Sequence, residues 1–238
     1  MVCQNGHPVV FTRTPGQLME ELEWIITLKI LSNMKHFLQV HAAGLVRDGK
    51  ALLLVGPSGS GKTTLTVQLL GRGWQCLSDD VIFINPENGM AWPFPRGFHV
   101  DGNTERLILG RYRNNRSTSM DASGKRRFDP SVIRKDWIAG PAEPRWLVFL
   151  QNGQHDPNIG YGKNKLTPAG ETLSLSLLVG QTINCLDHED NGLGILARLV
   201  RHCESFQFHA VNLSCVDELI ANLTGGEVKA HSSSNKKY

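Results

Sequence analysis

Residues 56–63 constrain this chain more than any other stretch. They read Gly-Pro-Ser-Gly-Ser-Gly-Lys-Thr and fill every fixed position of the phosphate-binding pattern G-x-x-x-x-G-K-[ST]. The apolar run 51–55 precedes the pattern and a helix-like segment, 64–70, follows it, so the strand–turn–helix context that the pattern requires is present. The sequence therefore predicts a nucleotide-binding loop, and leaves the reaction open.

The chemistry of phosphate binding assigns roles within this loop. Its glycines let successive backbone N–H groups converge on phosphate oxygens, and the N-terminus of the following helix adds partial positive charge. Lys62 is expected to reach the β- and γ-phosphates, and Thr63 to offer its hydroxyl to Mg²⁺. The predicted nucleotide-binding residues are Gly56, Pro57, Ser58, Gly59, Ser60, Gly61, Lys62, Thr63 and Thr64.

The composition is that of an ordinary soluble protein. The chain has 238 residues, 40% hydrophobic and 20% charged, which suits one sizeable core. A net charge of +3 is too small to indicate nucleic acid, and no run approaches the roughly 18 apolar residues of a membrane span. The five cysteines lack CxxC spacing, as in a cytoplasmic protein with reduced thiols. We expect a single domain over residues 1–228, a disordered tail over 229–238, and no nucleic-acid or membrane partner.

A hairpin is predicted immediately before the loop. The apolar runs 38–46 and 51–55 flank Arg47-Asp48-Gly49-Lys50, and the Asp-Gly pair favours a tight turn. The strand that carries His41 would then lie antiparallel to the strand that feeds the loop. This pairing brings His41 within reach of a bound nucleotide.

Two adjacent carboxylates, Asp79 and Asp80, follow the loop. They come after a glycine-rich helix stop at residues 71–73 and a short strand, and the β-rich run 81–84 follows them. Neighbouring side chains on an extended segment point to opposite sides, so one carboxylate can address Mg²⁺ and the other an incoming hydroxyl. The alternative, a solvated strand end, is weakened by the phosphate loop upstream.

The order of these features resembles a known family. His41-Ala42-Ala43-Gly44, the hairpin, the phosphate loop, Arg72-Gly73 and Leu77-Ser78-Asp79-Asp80 resemble the catalytic domain of the bacterial HPr serine kinase/phosphorylase and its compact homologues. The resemblance covers residues 38–84. It implies a P-loop-containing α/β fold with a mixed sheet and flanking helices, of the kind shared with phosphoenolpyruvate carboxykinase, and not a doubly wound sheet.

The resemblance also implies roles for individual residues. Asp79 matches the general base that accepts the proton of the substrate hydroxyl. Asp80 lies beside it at the metal together with Thr63, and His41 lies close to the transferred phosphate. Arg96 resembles an arginine that follows a proline at the end of a strand in the compact homologues. It would hold a phosphate or a substrate carboxylate as a bidentate fork, and a surface arginine is the alternative.

The chain departs from the HPr enzymes in three respects. The segment before His41 is too short for their separate N-terminal domain, alanines follow the histidine where the protein kinases usually have glycine, and their later glutamate-rich and glycine-rich signatures are missing. The compact form is more similar to homologues that phosphorylate free serine or a serine on a ribosomally made peptide. These include the kinases encoded with lasso peptide precursors, which modify the C-terminal residue of the precursor.

The remaining sequence is predicted to form scaffold and loops. Residues 101–135 are basic and lack clear periodicity from 112 to 127, which predicts a mobile loop that closes over triphosphate or recruits an acidic partner, or a plain solvated connection. The acidic patch 187–190 is interpreted as a solvated turn and not a metal site. Strands are predicted at 145–150, in the centre of the sheet, and 206–213, and helices at 173–179, 193–200 and 216–223. A helix over 17–37 is expected to pack through a stripe of Leu18, Leu22, Ile26, Ile30 and Met34.

The sequence favours an ATP- and Mg²⁺-dependent kinase acting on a serine-type hydroxyl of a peptide or protein. Asp79, His41 and Lys62 are the expected catalytic residues, and Arg96 the substrate-binding residue. An HPr serine kinase/phosphorylase and a free serine kinase stay open as alternatives. A nucleotide hydrolase and a non-catalytic nucleotide-binding subunit also stay open, as does assembly into a homo-oligomer.

Overall fold

The computed structural model describes residues 2–4, 7–10, 15–111, 126–151, 164–209 and 223. Two short 3₁₀ helices, Pro130–Val132 and Cys185–Asn191, accompany the longer elements. In chain order the longer elements are β1 (Val2–Gln4), β2 (His7–Val10), α1 (Pro15–Asn33), β3 (Leu38–Arg47), β4 (Lys50–Val55), α2 (Lys62–Leu70), β5 (Gln75–Ser78), β6 (Val81–Ile84), β7 (Ala91–Trp92), β8 (Phe98–Val100), α3 (Gly102–Arg111), β9 (Arg126–Phe128), β10 (Glu143–Gln151), β11 (Lys165–Pro168), α4 (Glu171–Val179), α5 (Gly192–His202) and β12 (Glu204–His209).

A mixed eight-stranded sheet forms the centre of the fold. Its order is β11-β12-β10-β4-β3-β6-β7, and β5 also pairs with β3. β10 runs parallel to both β4 and β12, whereas β3 runs antiparallel to β4, β5 and β6. The prediction of an α/β mixed sheet with flanking helices is confirmed, and so is the central position of the strand at residues 145–150.

The residues of β4 show that both faces of this sheet are covered. Leu52 and Leu54 enter the core that also contains Leu65 of α2. Leu53, on the other face, enters the core that also contains Leu196 of α5. A strand buried on both faces needs a continuous apolar run, which is what residues 51–55 provide.

The predicted hairpin is present and fixes the position of His41. β3 and β4 pair from Arg47↔Lys50 to Ala42↔Val55. Asp48 and Gly49 both have positive φ, 51° and 73°, as a two-residue turn that matches the twist of its strands requires. His41 therefore lies one residue beyond the last β3–β4 pair, where the chain leaves β4 for the phosphate loop.

β3 extends past the end of β4, and residues 181–184, which we call the strap, pair with this overhang. The N–H of His41 donates to Gln181 O at 2.7 Å, and the N–H of Ile183 donates to Gln39 O at 2.8 Å. The strap therefore occupies the position that β4 would hold if it did not turn into the phosphate loop.

α1 follows the predicted stripe at its C-terminal end, where Ile30 and Met34 pack against the core cluster that contains Phe37, but not at Ile26. Ile26 is 56% exposed, whereas Thr27 is 5% exposed. The inward face carries Glu23 and Thr27, and both side chains contact charged partners. Hydrophobic periodicity does not register such polar contacts, so the prediction of Ile26 as a core residue was wrong.

The other predicted elements are confirmed where the structure describes them. α4 and α5 match the helices expected at 173–179 and 193–200, and β12 matches the first part of the strand expected at 206–213. Arg126 and Arg127, expected in a loop, belong to β9. Predictions for 112–125, 210–222 and the 229–238 tail lie outside the described residues.

Two further findings concern membrane-spanning helices and the cysteines. No described helix is both long enough and apolar enough to cross a membrane. Cys76, Cys185 and Cys203 are free thiols, as expected.

Candidate functional site

The phosphate loop joins β4 to α2 in a conformation that depends on its glycines. Gly59 and Gly61 have φ values of 80° and 96°, a region that side chains with a Cβ rarely adopt. At Gly56 a Cβ would lie 2.8 Å from Ser60 Oγ and 3.0 Å from Leu150 O. The backbone is therefore packed too closely at this point for any larger residue.

The N-terminus of α2 is suited to an anion. Gly61 occupies the cap position without a side-chain hydrogen bond, and the first turn contains no acidic residue. The N–H groups of a first helical turn have no intrahelical partners, so they are available to phosphate oxygens. Among the described residues, the Ser60 hydroxyl is buried without a hydrogen-bond partner. Both features fit a phosphate in this cradle.

Lys62 and the two threonines that follow it have different surroundings. Lys62 Nζ donates to Gly56 O at 2.6 Å and to Pro57 O at 3.1 Å, so the lysine lies over the loop. Thr64 Oγ1 lies 2.6 Å from Thr104 Oγ1 and connects the loop to α3. Thr63, in the first turn of α2, is partly exposed, and its hydroxyl fits the predicted Mg²⁺ ligand.

Asp80 is the centre of an ionic cluster. Its Oδ2 accepts from Arg96 Nη2 at 2.5 Å, and its Oδ1 lies 3.3 Å from His41 Nε2. Burial alone would raise the pKa of Asp80, but the hydrogen bond from His41 and the charges of Arg96, His41 and Lys62 lower it below its ordinary value. Asp80 is therefore a carboxylate at neutral pH, as a Mg²⁺ ligand must be.

Asp79 has the opposite environment. Its side chain is 7% exposed, and among the described residues its Oδ1 has no hydrogen-bond partner. Burial raises the pKa of Asp79 from 3.8 to about 7; the charge of Arg96 opposes this rise and that of Asp80 adds to it. A carboxyl group with a pKa near neutrality can accept a proton and release it again.

α1 contributes two polar residues, one turn apart, that sequence reasoning missed. Arg96 Nη1 donates to Thr27 Oγ1 at 3.3 Å. Glu23 Oε2 lies 3.1 Å from Arg127 Nη1 and 3.7 Å from His99 Nε2. The only available signal was their spacing of four residues, which places them on one side of the helix.

His99 and Arg127 were missed as well. They lie directly opposite each other in the β8–β9 pair, and both contact Glu23. The charge of His99 lowers the pKa of Asp79, so this cluster extends the site on the side of the buried carboxyl.

His41 also contacts the strap. Its Nδ1 lies 3.2 Å from Gln181 Oε1, while its Nε2 faces Asp80. Gln181 belongs to no motif, and nothing in the sequence indicated a contact across 140 residues. The structure thus brings His41 and Arg96 into contact with Asp80, whose pKa is also lowered by the charge of Lys62 in the phosphate loop.

Two residues of the acidic patch at 187–190 contact other parts of the chain. Asp187 lies 3.6 Å from Lys35, and His188 contacts Phe37 O. In the described part of the chain, no group of three or more His, Cys, Asp or Glu side chains could hold an ion. Mg²⁺ usually retains water and phosphate oxygens beside one or two protein ligands, so Thr63 and Asp80 fit it without such a cluster.

Comparisons with known proteins give limited matches. A family model described as "ScmC: SynChlorMet cassette protein ScmC" matches residues 15–100, less than half of the chain. No curated protein matches. Among solved structures, the chain is similar to the Hpr(Ser) kinase/phosphatase from Coxiella burnetii, at 16% identity and a TM-score of 0.39, over 79% of this chain and 93% of that chain.

Proposed function

We propose that this protein is a kinase that transfers the γ-phosphoryl group of ATP to a serine-type hydroxyl of a peptide or protein. One observation carries the proposal: a buried carboxyl group, Asp79, with a pKa of about 7 adjoins a second carboxylate that contacts two basic side chains beside a phosphate loop. A site that only binds nucleotide has no need of a proton acceptor in this position.

The phosphate-binding part of the mechanism uses the loop and Lys62. The N–H groups of the loop and of the first turn of α2 would bind the phosphate oxygens, and Lys62 would exchange its carbonyl partners for the β- and γ-phosphates. Mg²⁺, held by Thr63 and Asp80, would neutralise charge on the phosphates. The chain's own contribution is position and positive charge.

The transfer step uses Asp79. The acceptor oxygen forms a bond to the γ-phosphorus while the bond from that phosphorus to the β–γ bridging oxygen breaks. The hydroxyl proton passes to Asp79, and ADP leaves with the bridging oxygen. Arg96 and His41, both in contact with Asp80, add positive charge where the transferred group passes.

The acceptor is proposed to be a peptide or protein. This part of the proposal is supported by the resemblance of residues 38–84 to compact kinases that act on peptides, and the C-terminal residue of a lasso-type precursor is one such acceptor. The matched family model is described as a cassette protein, so peptides encoded beside the gene are the first acceptors to try.

The test is mass spectrometry of reactions with Mg²⁺ and ATP against three acceptors in parallel. These are free serine, an HPr protein and a precursor peptide encoded near the gene, with Asp79→Asn as the blank. A gain of one phosphoryl group on the peptide, absent from the blank, is expected. A phosphoryl group gained by free serine or by the HPr protein would assign a different substrate class. ATP consumption without gain on any acceptor would instead indicate a hydrolase.

A further inference from the structure

We infer that Gln181 is a positioning residue for His41. The two side chains meet where Gln181 Oε1 lies 3.2 Å from His41 Nδ1. An amide oxygen only accepts hydrogen bonds, so in this contact the ring donates through Nδ1–H. The other nitrogen, Nε2, donates to Asp80 Oδ1 at 3.3 Å, so both ring nitrogens carry a proton when both contacts are made.

The ring of His41 is therefore held from both ends. Asp80 contacts one nitrogen and Gln181 the other, and the side chain of His41 is 29% exposed. A side chain contacted at one end only would retain rotation about its χ angles. Contact at both ends fixes which nitrogen points toward the transferred group, and small errors in such positions cost large factors in rate.

The strap that carries Gln181 is itself firmly attached. Its main chain pairs with β3 at His41, and the side chain of Asn184 attaches its C-terminal end to the chain before and within β3. Asn184 Oδ1 accepts from the N–H of Gln39 at 2.8 Å, and its Nδ2 donates to Phe37 O at 2.9 Å. This attachment uses main-chain groups and Asn184, so it does not require the side chain of Gln181. The contact of the Gln181 amide with the imidazole is therefore separate from the contacts that attach the strap.

The experiment compares three variants of the full chain. Gln181→Met keeps the length of the side chain and removes the acceptor, whereas Gln181→Glu keeps an acceptor oxygen. Thr182→Val is the matched control, because Thr182 Oγ1 donates to Leu178 O at 2.8 Å on the same strap and does not contact His41 in the described structure. The readouts are kcat and KM for ATP, the melting temperature, and the ¹⁵N signals of the His41 ring.

The catalytic readout rests on the proposed kinase function, whereas the ring signals do not. Gln181→Met is expected to lower kcat by about 10- to 100-fold with KM for ATP within about twofold. It should also lose the signature of a hydrogen-bonded Nδ1–H. Gln181→Glu should retain that signature and most of kcat, and Thr182→Val should retain both.

Two results would overturn the inference. One is a Gln181→Met variant that keeps both kcat and the Nδ1–H signature. The other is loss of activity in all three variants in proportion to their melting temperatures, which would make the strap a structural element only. If the wild-type chain phosphorylates no acceptor, the proposed function fails, and the ring signals alone decide whether Gln181 positions His41.

Discussion

Asp79 and Asp80 are adjacent in the chain and lie in opposite electrostatic environments. Burial raises the pKa of Asp79 to about 7, whereas Asp80 accepts from Arg96 and lies within 3.3 Å of His41. The turn between β5 and β6 buries the side chain of Asp79 and places that of Asp80 in the ionic cluster. Asp79 can therefore exchange a proton near neutral pH, whereas Asp80 stays charged.

This division predicts different effects for Asp79 and Lys62. Asp79→Asn should lower kcat by about 10²- to 10⁴-fold, because the general base is lost, and should leave the Kd for ATP nearly unchanged. Lys62→Ala should lower kcat and also weaken ATP binding, because the lysine contacts the phosphates in both the ground state and the transition state. Calorimetric titration with ATP and initial rates measure the two quantities. An equal loss of ATP affinity in both variants would contradict the assigned roles.

The burial of Asp79 also predicts a pH-dependent stability. Its folded pKa, about 7, lies above its ordinary value of 3.8, so the folded state binds the proton more tightly. The free energy of unfolding should therefore fall as pH rises from about 4 to about 7, and this group should contribute no further change above that range. The total loss is on the order of 4 kcal/mol.

Asp79→Asn provides the measurement of this effect. The asparagine does not titrate, so the stability of the variant relative to wild type should increase from pH 4 to pH 7 and then stay constant. Urea unfolding without Mg²⁺ or nucleotide at several pH values measures it. A difference between the two proteins that is independent of pH would show that the folded pKa of Asp79 is ordinary.

The sequence predicted the parts of the site that belong to local patterns. The phosphate loop, the hairpin that presents His41 and the Asp79-Asp80 pair are each encoded within a few residues, by glycines, an Asp-Gly turn and strand periodicity. The contact between His41 and Gln181 joins residues 140 positions apart. No local pattern encodes such a pairing, because it arises only when the strap replaces β4 beside β3.

Two glycines with similar backbone angles allow the effect of backbone strain on stability to be distinguished from an effect on ATP binding. Gly59 in the phosphate loop and Gly49 in the hairpin have φ of 80° and 73°, and a Cβ at either would meet no atom within 4 Å. Each Gly→Ala change should therefore cost about 1–2 kcal/mol of stability through backbone strain alone. Only Gly59→Ala should weaken ATP binding. Equal ATP affinity in the two variants would argue against phosphate binding by this loop.

The contact between Thr27 and Arg96 predicts a role for α1 in catalysis. Thr27→Val removes the hydroxyl that accepts from Arg96 Nη1, at a cost of about 1 kcal/mol, and should lower kcat/KM by about fivefold. Thr27→Ser keeps the hydroxyl and is the matched control. Steady-state rates with both variants test this, and a Thr27→Ser variant as impaired as Thr27→Val would point to packing instead.

α1 also shows where sequence periodicity fails. Its apolar residues recur on several sides of the helix, so the four-residue spacing identified the packed residues Ile30 and Met34 but placed the exposed Ile26 on the inward face. The inward face is set by Glu23 and Thr27, which contact charged groups supplied by β9 and by the segment before β8. Those groups lie about 70 to 100 residues further along the chain, beyond any helical repeat.

The most direct test of phosphoryl transfer is ³¹P NMR of one reaction containing Mg²⁺, ATP and the acceptor peptide, with wild type and Asp79→Asn in parallel. The wild-type reaction should show a phosphomonoester signal that grows in equal amount with ADP, and the variant should show neither. Growth of inorganic phosphate in place of the ester signal, or equal ester formation by Asp79→Asn, would contradict a kinase that uses Asp79 as its base.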